Sequence, residues 1–307
     1  MSRTRQKFNL VYELVSGQIS YRGIRIQGTI ISRLITRKIY YKLIRILSDS
    51  WLLRFCIPPP IPSISTFSLQ AYLIMSHEHC VQKRVLPGNP TGKTIKIGAL
   101  EVYYAEPASP SDKGILIFPD AFGLSLPNVK LAADQFALQG YHTFVPDYFR
   151  GDIPDVNNFH PWIERNPVSR AIEECVPIVE EIRSKYGVKR LAGHGYCYGA
   201  KLAFHFNIAR KLDTIGVAHA SFLTQDDIKA VPGPVLYLCA EVDRQFTDEL
   251  RIFAEEEMKR RQVPSRFVFY PGTVHGFTMR YDSEDQEAVK NAQDAQEQAT
   301  KFFKAHL

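Results

Sequence analysis

The chain has 307 residues, 45% of them hydrophobic and 23% charged, enough for one large α/β domain with a buried core or two small ones. Five widely spaced cysteines exclude a disulfide framework and fit a reducing compartment. The net charge of +6 is unevenly held: residues 1–74 carry eleven basic and two acidic side chains, whereas the remainder holds 27 basic and 30 acidic ones, so the body offers no nucleic-acid-binding surface.

Residues 1–74 form a basic N-terminal extension rich in Ile, Arg, Tyr and Leu. The bias resembles a mitochondrial transit peptide, but the segment is long and its hydrophobic pattern irregular. Lys42, Arg45, Asp49 and Arg54 interrupt its best apolar stretch, which falls short of the ~20 residues a membrane span needs. No compact apolar core follows a short basic start, so a secretory signal is not expected. Pro58, Pro59, Pro60 and Pro62 act as a break, and the chain changes character at Met75. The expectation is a disordered or spurious extension with Met75 as the true start. A targeting segment and a membrane-surface or partner-binding arm are the other readings. The expected location is cytoplasmic, or mitochondrial if the extension is a targeting segment.

Residues 75–307 alternate strand-like and helix-like segments. Ile95 to Tyr104 alternates in hydrophobicity and is rich in β-formers. Ile115 to Phe118 is a short apolar run ended by Pro119, as in a buried strand. Asn128 to Gln139 shows helical spacing through Val129, Ala132, Ala133, Phe136 and Ala137, with Gly140 as its stop. His142 to Val145 is the next strand, closed by Pro146. Val168 to Tyr186 reads as a long helix with Ala171, Cys175, Ile178 and Ile182 on one face. Leu191 to Gly193, Ile215 to Ala218, Val235 to Ala240 and Phe267 to Tyr270 are further buried strands. Asp248 to Arg261 reads as a solvated helix with Glu255/Lys259, Glu256/Arg260 and Glu257/Arg261 spaced as i, i+4 pairs, and a last helix spans Glu284 to Ala305. This order implies an α/β fold, a mostly parallel central sheet with helices on both faces.

The strongest local signal is Gly195-Tyr196-Cys197-Tyr198-Gly199-Ala200, between a strand and the helical segment Lys201 to Ala209. It matches the nucleophile elbow, Gly-x-nucleophile-x-Gly, with Cys where Ser is commoner. A strand-to-helix turn this tight strains its central residue and crowds the neighbouring backbone, which glycines relieve. The helix N-terminus places partial positive charge near the sulfur and favours the thiolate. The N–H of Tyr198 can point at a developing oxyanion. Read alone, Cys197 could equally be a small buried core residue. The downstream order shifts that balance. Asp243 ends the strand-like Leu236 to Val242, and His275 follows the strand ending at Tyr270, which is the order nucleophile, acid, histidine. All three then reach the carboxyl edge of one parallel sheet, where ligands bind.

The Cys197 stretch, together with Pro119-Asp120-Ala121-Phe122-Gly123, Pro146-Asp147-Tyr148-Phe149-Arg150-Gly151-Asp152 and His275-Gly276-Phe277, resembles the dienelactone hydrolase family of the α/β-hydrolase fold (carboxymethylenebutenolidase-like), most closely its fungal-type branch. The resemblance covers about residues 90–307. It implies Cys197 as nucleophile, His275 as base and Asp243 as its partner, with an oxyanion hole from the backbone of Ala121 and Tyr198. It also implies that Asp120 stands where bacterial members carry a glutamate touching the resting thiol, one methylene shorter here. Arg150 and Arg280 lie about one residue from the positions where those members bind a substrate carboxylate.

The function expected is hydrolysis of a small-molecule lactone or activated ester through an acyl-cysteine intermediate, by a monomer that needs no cofactor. His77-Glu78-His79-Cys80 is too crowded for one tetrahedral metal site and lacks a partner cluster, so no metal is expected. His194, beside the elbow, reads as a packing residue. The competing readings are a non-catalytic binding protein on the same fold, and a hydrolase of thioester, peptide or glycoside substrates, which fold alone does not separate.

Overall fold

The computed structural model describes residues 83–155 and 159–307 in full, and the backbone of residues 20–21 and 24–25. The chain divides into two units, Met1–Ser63 and Ile64–Leu307. In the first, Ser20–Tyr21 pairs antiparallel with Ile24–Arg25. The expected boundary after residue 74 and the His77–Cys80 cluster lie outside the described residues.

The second unit is built on one eight-stranded sheet. Its strands are β1 (Lys93–Ile97), β2 (Leu100–Ala105), β3 (Lys113–Phe118), β4 (His142–Pro146), β5 (Arg190–Tyr196), β6 (Thr214–Ala218), β7 (Val235–Val242) and β8 (Ser265–Val274). The order across the sheet is β8-β7-β6-β5-β3-β4-β2-β1. Every pair from β4 to β8 is parallel. β1 and β2 continue the edge antiparallel.

The central strands are apolar on both faces because helices cover both. In β3, Ile115 and Ile117 face one core and Leu116 and Phe118 the other, the two-residue period of a pleated strand. The first core is closed by α1 (Asn128–Leu138) and α7 (Gln286–His306) through Phe136, Ala295, Ala299 and Phe303. The second is closed by α2 (Phe159–Arg165), α3 (Val168–Lys185), α4 (Gly199–Ile208), α5 (Gln225–Ala230) and α6 (Asp248–Arg261). This is the α/β-hydrolase architecture. From β3 the chain runs outward to β4, then returns to β5 on the other side of β3. The loops after β3 and β5 therefore diverge and open a crevice at the carboxyl edge.

Three local expectations differ from the structure. Ile95 to Tyr104 is a hairpin, with Ile97 opposite Leu100 and Gly98 at φ 56°. That left-handed turn residue stands where the apolar positions shift from Ile95 and Ile97 to Leu100, Val102 and Tyr104. The helices α2 and α5 have seven and six residues, too few turns for a helical period to show. On α6 the ion pairs are Arg260–Glu257 and Arg251 with Asp248 and Glu255, and Arg261 donates to the carbonyl of Ile228 instead. Glu257 is buried and Glu255 half-buried, and both are paired, whereas Glu256 is exposed.

Candidate active site

Cys197 follows β5 directly and precedes α4. It is buried and has φ 50°, a left-handed conformation that side-chain-bearing residues hold only where the surroundings impose it. The flanking glycines show why the turn needs them. A Cβ on Gly195 would stand 2.5 Å from the carbonyl oxygen of Gly199, and one on Gly199 only 2.0 Å from that of Phe118. The Cys197 N–H donates to Ala218 O at 3.1 Å, tying the elbow to the end of β6.

His275 leaves β8 and is fastened to the neighbouring strand by its N–H, which donates to Val242 O at 3.1 Å. Asp243 is the next residue after Val242, so the imidazole and the carboxylate are delivered side by side. His275 Nδ1 donates to Asp243 Oδ2 at 2.8 Å, with both side chains nearly inaccessible. The other carboxylate oxygen accepts the backbone N–H groups of Gln245 at 2.8 Å and Phe246 at 3.1 Å, which fixes the carboxylate's rotation. A proton on Nδ1 leaves Nε2 unprotonated on the buried side of the ring. There Nε2 has no hydrogen bond of ordinary geometry among the described residues, while Cys197 lies close enough to act on the ring electrostatically. Burial alone would depress the imidazole. The charges of Asp243 and Cys197 outweigh it and push His275 up to about 10.

The loop that carries His275 is clamped by Asn128 of α1, whose amide nitrogen donates to Met279 O at 2.6 Å and to Arg84 O at 2.8 Å. Arg280, one turn beyond His275, forms a buried ion pair with Asp120. Its guanidinium lies over the Phe122 ring, 5.3 Å from the centroid, and fills the space a Cβ on Gly276 would need. Asp120 also accepts the Phe122 N–H at 3.0 Å. The structure thus brings Asp120 and Arg280 together. Arg150 is committed elsewhere, its two terminal nitrogens clasping the Glu174 carboxylate at 3.0 and 2.9 Å on a half-exposed surface. Ala121 and Tyr198, buried after β3 and at the head of α4, have backbone N–H groups that meet no acceptor among the described residues.

Replacing Arg280 by methionine strands the Asp120 carboxylate in a buried site. The expected cost is about 3–5 kcal/mol, and the double variant Asp120→Asn/Arg280→Met should recover most of it. Chemical denaturation of the three proteins checks this. A double variant no more stable than the single one would show the pair to be weakly coupled.

Two residues of the site left no sequence signal of their own. His219, just past β6, stacks edge-on against His275 with ring centroids 5.0 Å apart and its Nε2 bonded to Thr278 Oγ1 at 2.8 Å. Burial first, and the neighbouring His275 second, hold its pKa well below the ordinary value, so the ring is neutral. Ser221 Oγ stands 3.4 Å from Cys197 Sγ. The only hint available was that the strand Ile215 to Ala218 ends on polar residues at the same sheet edge as the elbow. His194 packs between Phe136, Tyr196 and Phe303, and burial lowers it to about 4. Among the described residues no cluster of His, Cys, Asp or Glu could hold a metal ion, and no helix is long and apolar enough to cross a membrane.

A mostly parallel sheet of this order, with an elbow at β5 and a buried carboxylate–histidine pair at the same edge, defines an α/β-hydrolase. The family model of the dienelactone hydrolase family matches residues 100–307. The hydrolase tropI of Talaromyces stipitatus is 30% identical over 247 residues, 76% of this chain and 97% of that protein. The hydrolase pyvD of Aspergillus violaceofuscus is 31% identical over 209 residues, 66% of this chain and 85% of its own length. Among solved structures, the dienelactone hydrolase of Anabaena variabilis superposes with a TM-score of 0.53 at 14% identity, covering 71% of this chain and 98% of that one. The chain belongs to the dienelactone hydrolase family and is a hydrolase of the carboxylic-ester type.

Proposed function

We propose that this enzyme hydrolyses a small lactone or activated ester through an acyl-cysteine intermediate, with Cys197 as nucleophile, His275 as base and Asp243 as the carboxylate that orients it. The observation that carries the reading is the buried 2.8 Å bond between His275 Nδ1 and Asp243, on a ring whose other side faces Cys197. A histidine so held keeps one tautomer and is stabilised as imidazolium.

The steps follow from that arrangement. His275 Nε2 takes the thiol proton, and the thiolate attacks the carbonyl carbon. The carbonyl electron pair moves onto oxygen, where the N–H groups of Ala121 and Tyr198 receive the negative charge. Collapse breaks the ester C–O bond, and the departing oxygen takes the proton from His275. In a lactone the leaving group stays tethered to the acyl chain. Water then gives a proton to Nε2 as it adds to the thioester, and the second collapse returns the thiolate and the acid. Thiolates are better leaving groups than amines, so such a nucleophile suits an enol-lactone or other activated ester and suits an amide poorly. Arg280, poised against Asp120 beside the Ala121 loop, is the cation that meets a substrate carboxylate. Arg150 has no part in this reading.

The test combines turnover of a panel of lactones and p-nitrophenyl esters with alkylation at neutral pH. Burial pushes the Cys239 thiol up to about 12 and Cys175 higher still, so both serve as internal controls. Iodoacetamide is expected to modify Cys197 well ahead of Cys175 and Cys239, with activity lost in proportion to Cys197 labelling. Equal modification of Cys197, Cys175 and Cys239, or activity surviving full modification of Cys197, overturns the proposal.

A further inference from the structure

The segment after β6 touches both halves of the proposed machinery. Ser221 Oγ lies 3.4 Å from Cys197 Sγ, and both side chains are buried. The contact is fixed by backbone: the Ser221 N–H donates to Cys197 O at 3.0 Å, and the Cys197 N–H donates to Ala218 O at 3.1 Å. Strain gathers at the same place. Cys197, His219 and Phe222 adopt φ values of 50°, 38° and 61°, and such conformations in side-chain-bearing residues persist only where neighbours enforce them. Asp120 is engaged with Arg280 and the Phe122 N–H. The Ser221 hydroxyl has no second partner among the described residues.

We infer that Ser221 is the resting-state partner of the Cys197 sulfur, donating its hydroxyl hydrogen to the thiolate before substrate arrives; the inference rests on Cys197 being the nucleophile. Once sulfur bonds the acyl carbon, its negative charge has passed to the carbonyl oxygen, and the hydroxyl loses its strong acceptor. Ser221 therefore favours the thiolate over the thiol and contributes little to binding substrate. The other ionisable groups around the sulfur are accounted for. His275 and Asp243 approach from the loops after β8 and β7. His219 is held neutral by burial. The Asp120 and Arg280 charges offset each other. Burial pushes the Tyr148 hydroxyl well upward, out of the range where the pair titrates.

The experiment is the pH dependence of Cys197 alkylation by iodoacetamide in the full chain and in Ser221→Ala, followed by peptide mass spectrometry, with kcat and KM for one p-nitrophenyl ester. Ser221→Ala is expected to raise the Cys197 inflection by about one pH unit, the scale of one hydrogen bond to a charged group. It should lower kcat with KM nearly unchanged, while Cys175 and Cys239 stay protected. Ser221→Thr, which keeps the hydroxyl, should restore the inflection. An unchanged inflection in Ser221→Ala overturns the inference, as does a raised one accompanied by labelling of Cys175 and Cys239, which would mark a loosened fold. If Ser221→Ala does not fold, Ser221→Thr and the full chain decide alone: matching low inflections support the inference and an ordinary thiol inflection in Ser221→Thr overturns it. An ordinary thiol inflection in the unmodified chain marks failure of the nucleophile reading itself.

Discussion

Cys197→Ala is expected to lower kcat/KM by about four to six orders of magnitude while leaving the fold intact, because nucleophile removal in enzymes of this logic costs that much. Alanine keeps the Cβ that the φ 50° backbone already accommodates. It removes only the sulfur, whose near neighbours are Ser221 Oγ and the His275 ring. Thermal midpoints should therefore shift little, and the loss should appear in turnover. Cys197→Ser is the sharper variant. Its hydroxyl is far less acidic than a thiol, so His275 must abstract the proton in the transition state instead of holding a preformed ion pair. Serine should retain a small residual rate above alanine. Turnover of lactones and p-nitrophenyl esters by the purified variants checks both, and rates close to the parent's in the two proteins would remove Cys197 from the chemistry.

What the sequence disclosed about the site follows a physical line. Gly195 was legible because its crowding is local, the offending atoms belonging to Gly199 and Ala200; Gly199 is crowded by Phe118 of the neighbouring strand, and one five-residue pattern records both constraints. Asp243 and His275 were legible because chain order and strand ends are one-dimensional properties that a parallel sheet converts into proximity. Ser221 and His219 were not, since their meaning arises only when β6 lies beside β5 and β7. The Asp120–Arg280 pair joins residues 160 positions apart. No spacing rule encodes it, and family likeness placed both residues near substrate without showing that they hold each other. The hairpin at Gly98 was misread for a different reason. Its two-residue loop moves the apolar set from Ile95 and Ile97 to Leu100, Val102 and Tyr104, a phase change that a single run of β-formers conceals.

Asp243→Asn tests the orienting role, and its outcome is set by the groups around the carboxylate. Asp243 Oδ1 accepts two backbone N–H groups, those of Gln245 and Phe246. An asparagine must place its carbonyl oxygen there, because an amide NH2 would face two donors. The NH2 is then turned toward His275 and donates to Nδ1, which forces the ring proton onto Nε2, the atom that should receive the thiol proton. The expected loss is on the order of 10⁴ in kcat, from the wrong tautomer in an unchanged geometry. The stability effect carries a definite sign. His275 is raised from its ordinary 6.5 to about 10 in the fold, with Asp243 and Cys197 overcoming burial. A raised pKa contributes stability that is complete below 6.5 and is lost as pH climbs toward 10. Asparagine withdraws the largest favourable part of that contribution. The variant should therefore be destabilised more at pH 6 than at the alkaline end of the range, as chemical denaturation at the two pH values would show. A deficit of equal size at both would mean that the carboxylate acts on His275 through position alone.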